Sequence, residues 1–176
     1  MAISPRSADL SKKTSHPTPT AGRPYMPGYQ MMFRKGVDSL SWAWAVKRLS
    51  GARNYWLATV RGDRRPHVMP VWGIWFENAF YFSTGPRSRK ARNIEKNMNC
   101  VVCPENAADA VILEGTVRKA SLNGTSLRRI FEDYEKKYNW KMDDSEGSFY
   151  RVQPKKIFGF VESGASNPTR WSFTTE

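Results

Sequence analysis

Short stretches in which hydrophobic and polar residues alternate run through the chain from Tyr55 to its end. Such alternation predicts strands, because successive side chains of a strand point to opposite faces of a sheet. Short polar turns separate the first three of these stretches, which predicts an antiparallel meander. Seven stretches have this pattern: Tyr55–Arg61, His67–Phe76, Ala79–Thr84, Cys100–Pro104, Ala110–Ala120, Lys156–Glu162 and Arg170–Phe173.

The second of these stretches, HVMPVWGIWF, contains Pro70 and Gly73. Proline has no N–H to donate to a neighbouring strand, and glycine in a strand often marks a bulge or the close approach of another group. We therefore expect this strand to lie at an edge of the sheet, to contain a bulge, or to face a ligand.

Helical spacing of hydrophobic residues predicts three helices. The first begins after a cap at Asp38 or Ser39 and ends near Ser50, before Gly51. A short basic helix covers Arg89–Asn97, and a longer amphipathic helix extends from a cap within Ser121–Asn123 to about Tyr138. Six or seven short strands with three peripheral helices favour a mainly β fold, a small antiparallel β-barrel, over a parallel βαβ sheet.

The first 35 residues differ from the rest of the chain. They are rich in Ser, Thr, Pro and Gly, with segments such as HPTPT and GRPYMPGY. This composition is typical of a flexible N-terminal arm, so residues 36–176 are expected to form the folded domain.

Charge indicates the class of partner. The chain carries 28 Lys and Arg against 16 Asp and Glu, a formal net charge of +12. Both the arm and the domain are net positive, which favours phosphorylated cofactors, acidic substrates or nucleic acid. The sequence contains no apolar stretch long enough to span a membrane and no secretory signal pattern, so a cytoplasmic protein is expected.

The segment YFSTGPRSRKARNIEKN, residues 81–97, is the best candidate for chemistry. A strand ends in the hydroxyl residues Ser83 and Thr84, and after a Gly-Pro turn Ser88, Arg89 and Lys90 open a helix. The N-terminus of a helix presents free N–H groups and a positive dipole end, and Arg and Lys bind phosphate oxygens. This pattern predicts a phosphate site, although a solvated basic helix start has the same pattern.

The order of these segments resembles the pyridoxamine 5'-phosphate oxidase-like split barrels, which include flavin- and deazaflavin-dependent oxidoreductases. The matching segments are YWLATV, RPHVMPVW, FYFST, SRKARNIEKN and VILEGTV, in that order, and the resemblance covers about residues 38–173. It implies an FMN-binding split barrel, a six- to seven-stranded antiparallel Greek-key barrel that forms homodimers with a cofactor site at the interface. Strand Ala110–Glu114 and the loop Asn106–Asp109 are the candidates for the partner's contribution.

The resemblance also implies which residues bind the cofactor. Arg89 and Lys90 would bind the phosphate, and Ser83, Thr84 and Ser88 would support it. The backbone of the strand that follows the first turn would lie along the flavin ring, and Trp171 near the C-terminus would lie beside the cofactor or substrate. The full implied set is His67, Val68, Met69, Pro70, Val71, Ser83, Thr84, Ser88, Arg89, Lys90 and Trp171.

No catalytic residue is predicted, because a flavin itself carries the hydride chemistry. His67 titrates near neutrality and could move a proton, but a structural or cofactor-contacting role fits it better. Cys100 and Cys103 resemble half of a zinc or redox site, yet a strand would place them on opposite faces. No metal site is expected from them.

Several alternatives remain at this point. Coenzyme F-420, a deazaflavin with an acidic oligoglutamate tail, would suit the positive charge as an alternative to FMN. A non-catalytic haem or cofactor binder and a nucleic-acid-binding module are further alternatives. Oxidation of pyridoxamine 5'-phosphate itself is not expected, because the C-terminus, TRWSFTTE, lacks the Arg-Leu-x-Pro ending of the true oxidases.

Overall fold

The computed structural model describes residues 18–122, 124–142 and 148–174. Within them, nine strands and three α-helices form the fold, together with one turn of 3-10 helix at Gln30–Met32. The strands are β1 (Thr20–Gly22), β2 (Tyr55–Val60), β3 (Pro66–Val71), β4 (Ile74–Phe76), β5 (Ala79–Thr84), β6 (Asn99–Pro104), β7 (Asp109–Lys119), β8 (Ser148–Val161) and β9 (Thr169–Ser172). The helices are α1 (Trp42–Gly51), α2 (Arg89–Lys96) and α3 (Gly124–Tyr138). The prediction of a mainly β fold with three helices is confirmed.

All strand pairs are antiparallel. The main path runs β1-β9-β8-β7-β6-β2-β3, and β5, which also pairs with β4, joins the long strand β8. One half of β8 pairs with β5, from Ser148 to Val152, and the other half pairs with β9, from Lys156 to Gly159. Because β8 pairs with β7 along most of its length, it connects the two parts of the sheet. At the other end of the path, β3 pairs only with β2 and is an edge strand.

Turn chemistry explains the meander that the sequence predicts. Glu77 and Asn78, between β4 and β5, both have positive φ values, 48° and 54°. Two consecutive positive φ values are the requirement of the type I′ turn, whose twist matches that of the two strands it connects.

The structure corrects the start of the first helix. It begins at Trp42 rather than after Asp38 or Ser39, and Ser41 is its cap, since Ser41 Oγ accepts a hydrogen bond from Trp44 N at 3.2 Å. Ser39 instead forms a β-bridge with Asn167, and Asp38 O accepts a hydrogen bond from Asn167 N. These contacts hold residues 38 and 39 outside the helix.

The strand count is nine rather than six or seven, because the short strand β1 was not predicted and one predicted strand is divided into two. The predicted strand His67–Phe76 is interrupted at Trp72 and Gly73, and so forms β3 and β4. The predicted strand Lys156–Glu162 begins eight residues earlier, at Ser148. A bulge opposite Glu114 and Gly115 leaves Lys155 without a register partner, which interrupts the alternation in this part of β8.

Part of the predicted arm contacts the domain. Strand β1 pairs with β9, for example Ala21 with Trp171. Farther along, the buried side chain of Asn167 accepts a hydrogen bond from Arg34 N and donates to Arg34 O and Val37 O. Residues 18–37 are thereby attached to the sheet, while the first 17 residues of the predicted arm lie outside the described part.

The main hydrophobic core lies inside the barrel, between the inner faces of the strands and helix α1. Trp171 is the largest fully buried side chain, with an exposed fraction of 1%. Its ring contacts Trp42 at a centroid distance of 5.7 Å and lies against Gly159. None of the described helices has the length and hydrophobicity that crossing a membrane requires.

Gly159 is a test of this packing. A Cβ at this position would lie 2.8 Å from Trp171 Cη2 and 2.9 Å from Leu40 Cδ1, closer than normal contact. We expect Gly159→Ala to lower the free energy of unfolding by about 1–3 kcal/mol, the usual cost of overpacking a core. Denaturant titration measures this change.

Gly51→Ala is the matched control, because a Cβ there meets nothing within 4 Å and the residue ends a helix. It should leave the stability unchanged or raise it by up to about 1 kcal/mol. Equal effects of the two substitutions would contradict the packing argument.

Candidate functional site

The junction between β5 and α2 forms a chain of polar side chains. Ser88 caps α2, and its Oγ accepts a hydrogen bond from Ala91 N at 3.2 Å. Thr84 Oγ1, at the end of β5, donates to Ser88 Oγ at 3.2 Å and accepts from Lys90 Nζ at 3.2 Å. The strand end therefore holds the Lys90 ammonium close to the free N–H groups at the start of the helix.

The charge of Lys90 has no carboxylate partner among the described residues. The side chain is partly buried, and this desolvation lowers the pKa of Lys90. No carboxylate of the described residues is within ion-pair distance of Lys90 or of its neighbour Arg89. Because desolvating an unpaired charge is unfavourable, this arrangement favours the binding of an anion.

His67, near the start of β3, lies in the same region. Its Nδ1 is 3.4 Å from Thr59 Oγ1, and that hydroxyl also accepts a hydrogen bond from Asn93 Nδ2 of α2 at 2.9 Å. Partial burial lowers the pKa of His67, and the positive charges of Lys90, Arg89 and Arg61 lower it further. The first residues of β3 and the first turn of α2 therefore border one positively charged site.

The edge strand β3 provides an apolar surface next to these charges. Val68 is 51% exposed, and the side chains of Met69 and Pro70 are also exposed. Pro70 pairs in register with Trp56 of β2, and β2 is the one described strand that pairs with β3. The expectation that Pro70 marks an edge strand is confirmed.

The structure brings most of the implied cofactor residues to one region, but two side chains lie in the core. Val71 is buried, so only its backbone is at the surface of β3, which agrees with the mainly backbone role inferred for this strand. The second is Trp171 of β9, whose ring lies in the core in an aromatic cluster with Trp42 and Phe173. Because it is buried, this side chain is not accessible to a ligand in the single chain.

Other residues of the region were not identified from sequence. Thr59 and Asn93 are buried polar residues that connect β2 to α2. Trp72, directly after β3, is 40% exposed. All three lie in segments that carry the family resemblance, YWLATV, SRKARNIEKN and RPHVMPVW. Their places in the site depend on contacts between distant parts of the chain, which those segments do not specify.

The site thus combines two different kinds of surface. Two adjacent cations, hydroxyl groups and helix N–H groups suit a phosphate dianion. An exposed apolar edge strand a short distance away suits a planar, largely apolar group. A molecule that carries both a phosphate and an aromatic ring system matches this geometry.

Comparison with known proteins identifies the class of protein. The family model described as pyridoxamine 5'-phosphate oxidase matches residues 45–160. The chain therefore belongs to this family of split barrels, as its sequence motifs indicate. No curated protein matches the chain.

Solved structures show the same fold at low sequence identity. General Stress Protein 26 from Bacillus anthracis is 22% identical with a TM-score of 0.56, covering 67% of this chain and 92% of its own. An F-420 reductase is 19% identical with a TM-score of 0.52, covering 67% and 98%. HutZ, a heme storage protein from Vibrio cholerae, is 14% identical with a TM-score of 0.53, covering 66% and 89%. Proteins with different named functions therefore share this fold.

Titration of His67 tests the electrostatics of the site. We expect its pKa in the free protein to lie below the ordinary value of 6.5, because burial and three nearby cations disfavour the imidazolium. Binding of inorganic phosphate or FMN should raise this pKa, since the added negative charge stabilises the protonated ring. NMR titration of the imidazole signals measures both values.

A His16→Gln variant leaves His67 as the only histidine and so assigns the signal. An imidazole pKa at or above 6.5 that does not change on addition of either anion would contradict this description of the site.

Proposed function

We propose that this protein is an FMN-dependent oxidoreductase that transfers hydride to or from a small organic molecule. The observation that carries the proposal is the cation pair Arg89 and Lys90 at the first turn of α2, beside an exposed apolar strand; no carboxylate of the residues that the structure describes is within ion-pair distance of the pair. Membership of the family supports it, since the match covers both of these segments.

The residues present fit the phosphate of FMN. Arg89 can donate two parallel hydrogen bonds to its oxygens, and Lys90 supplies a second positive charge whose position Thr84 fixes. Ser88 and the N–H groups at the start of α2 would complete the phosphate site, with Ser83 at its rim.

The residues of β3 fit the ring. Val68 and Pro70 point to one face of the strand and Met69 to the other, so both faces expose apolar side chains. On the side facing away from β2, the backbone of this edge strand pairs with no other described strand. When bound there, FMN would supply reversible hydride transfer. The role of the protein is then to bind and orient the ring and the substrate and to exclude water.

Replacement of the cation pair tests the proposal. We expect Arg89→Ala combined with Lys90→Ala to weaken FMN binding by about 100-fold or more, because each charge-assisted hydrogen bond contributes about 1.5–3 kcal/mol. Titration of flavin fluorescence measures the affinity, and mass spectrometry identifies any cofactor that copurifies with the unmodified protein.

The charge-matched control is Arg92→Ala combined with Lys96→Ala, since both side chains are exposed on the same helix. It should change the FMN affinity less than about threefold. Equal losses in the two variants would indicate a general charge effect, and an FMN affinity that does not depend on Arg89 and Lys90 would overturn the proposal. Copurified haem would favour a haem binder instead.

Coenzyme F-420 is the second candidate, in a reductase of the same fold. The positive field extends beyond the phosphate site, since Arg61 acts on His67 together with Arg89 and Lys90. An acidic oligoglutamate tail would be attracted to such a field. Direct comparison of the affinities for FMN and coenzyme F-420 distinguishes the two candidates.

We further propose that the protein acts as a homodimer. The outward face of the sheet carries apolar side chains on several adjacent strands, which are partly or largely exposed: Trp56, Ala58, Val60, Val101, Cys103, Ile112, Phe158 and Phe160. A contiguous exposed apolar surface of this kind is typical of a protein interface. A groove of about 390 Å³ on this face is lined by Val60 and Val101, with Glu114 and Lys156 at its border.

A charged substitution in this face tests the dimer. We expect Val101→Glu, in the central strand β6, to convert dimers into monomers, because the interface would have to bury an unpaired carboxylate. Analytical ultracentrifugation measures the change. FMN affinity should fall together with the dimer if the partner completes the site.

Trp140→Glu is the control, since Trp140 is an exposed hydrophobic residue after α3 and is not on the sheet. This variant should remain dimeric. A monomeric unmodified protein, or a dimer that Val101→Glu leaves intact, would contradict the assignment of this face.

A further inference from the structure

Trp72 is an exposed aromatic side chain with a fixed orientation. It follows the last residue of β3, and its ring stacks on the ring of Tyr138 with a centroid distance of 4.7 Å and an interplanar angle of 11°. Tyr134 contacts it at a more tilted angle. Since Tyr138 covers one face of the indole and 40% of the residue is exposed, the opposite face is available to another ring.

The backing residue Tyr138 is itself held by hydrogen bonds. Its hydroxyl oxygen accepts a hydrogen bond from Gly73 N at 2.8 Å, and the hydroxyl donates a hydrogen bond to Arg53 O at 2.8 Å. The neighbouring Lys137 Nζ donates to Gly73 O at 3.1 Å and to Tyr55 Oη at 2.7 Å. The end of α3 thus binds both backbone polar groups of Gly73, the residue directly after Trp72.

The backbone next to Trp72 also has little freedom. A Cβ on Gly73 would lie 2.2 Å from Phe80 Cζ, so the chain passes directly over this core ring. Trp72 therefore belongs to a segment that is fixed by a partly buried lysine, a buried tyrosine hydroxyl and close packing. An aromatic side chain held in this way loses little conformational entropy when a ligand stacks on it.

The position of Trp72 relative to the cation pair is defined by β3. His67, at the positively charged end, and Trp72 are five residues apart, which corresponds to roughly 17 Å along a strand. A ligand that binds its phosphate at Arg89 and Lys90 and lies along β3 would extend in the direction of Trp72.

We propose that the exposed face of Trp72 is a stacking surface for a planar aromatic substrate, next to the end of the ring-binding strand that is remote from the phosphate site. This inference rests on the proposed function for the place of the cofactor. It adds the class of substrate: a flat conjugated ring is preferred over a saturated ring of the same size, because only the flat ring makes full contact with the indole face.

Binding of two matched probes tests the inference. 2-Naphthamide is planar, and decahydro-2-naphthamide carries the same amide on a saturated ring system. We expect the unmodified protein to bind the planar probe about tenfold more tightly. Trp72→Ala should remove this preference and Trp72→Phe should keep most of it, as measured by isothermal titration calorimetry with and without FMN.

Trp140→Ala is the matched control, because it also removes an exposed tryptophan and should leave the preference unchanged. FMN affinity should be the same in Trp72→Ala and the unmodified protein, which shows that the variant is folded. Equal binding of the two probes to the unmodified protein, or a preference that persists in Trp72→Ala, would overturn the inference.

The two proposals fail in different ways. If FMN binds but the planar probe has no advantage, the stacking surface is wrong and the cofactor assignment stands. If FMN does not bind and Trp72 still confers the preference for the planar probe, the cofactor assignment is wrong while the stacking surface is confirmed.

Discussion

The central physical constraint in this protein is the positive charge at the start of α2, which no carboxylate in the described part of the chain neutralises. Three other cations have carboxylate partners among the described residues: Arg61 and Arg65 both contact Asp63, and Arg48 contacts Asp109. At Lys90 the partner is a threonine hydroxyl, which orients the ammonium but cannot balance its charge. Partial desolvation without a carboxylate is unfavourable for the free protein and is relieved when an anion binds.

The geometry of the sheet determines what can lie beside that anion. Since β3 pairs only with β2, one side of its backbone and several of its apolar side chains remain accessible. Pro70 preserves this arrangement, because it removes a donor that could otherwise recruit another strand. An exposed apolar edge strand is usually an aggregation risk, and its position beside Arg89 and Lys90 is consistent with the ligand-binding role proposed for it.

Sequence reasoning succeeded where the signals were local. The alternation in β2, β5, β6 and β7, the Glu77-Asn78 turn and the hydroxyl-rich start of α2 each depend on neighbouring residues, and all were predicted close to their observed positions. The order of the motifs also indicated the family. The fold that this family implies then predicted how the separate strands and helices are arranged.

It failed where the determining contacts are distant in sequence. Ser39 is outside α1 because Asn167, 128 positions later, binds this segment. Strand β1 forms because its backbone pairs with the edge of β9, and no property of Thr20–Gly22 alone predicts this pairing. The candidate site residues divide in the same way: a motif points to Arg89 and Lys90, whereas the core position of Trp171 and the exposed position of Trp72 depend on packing.

The contrast between these two tryptophans shows why residue type alone cannot assign a site. Trp171 fits a ligand-binding motif, but β9 places its ring against Trp42 and Gly159, where it fills the core. Trp72 is the last residue of the segment RPHVMPVW, where the sequence assigned it no role, and Tyr138 covers only one face of its ring. Tyr138 is a buried residue of the core beside α3, and hydrogen bonds from Gly73 N and to Arg53 O satisfy its hydroxyl and hold its ring in place. A ring that is rigidly supported and still open to solvent is more consistent with recognition than with packing.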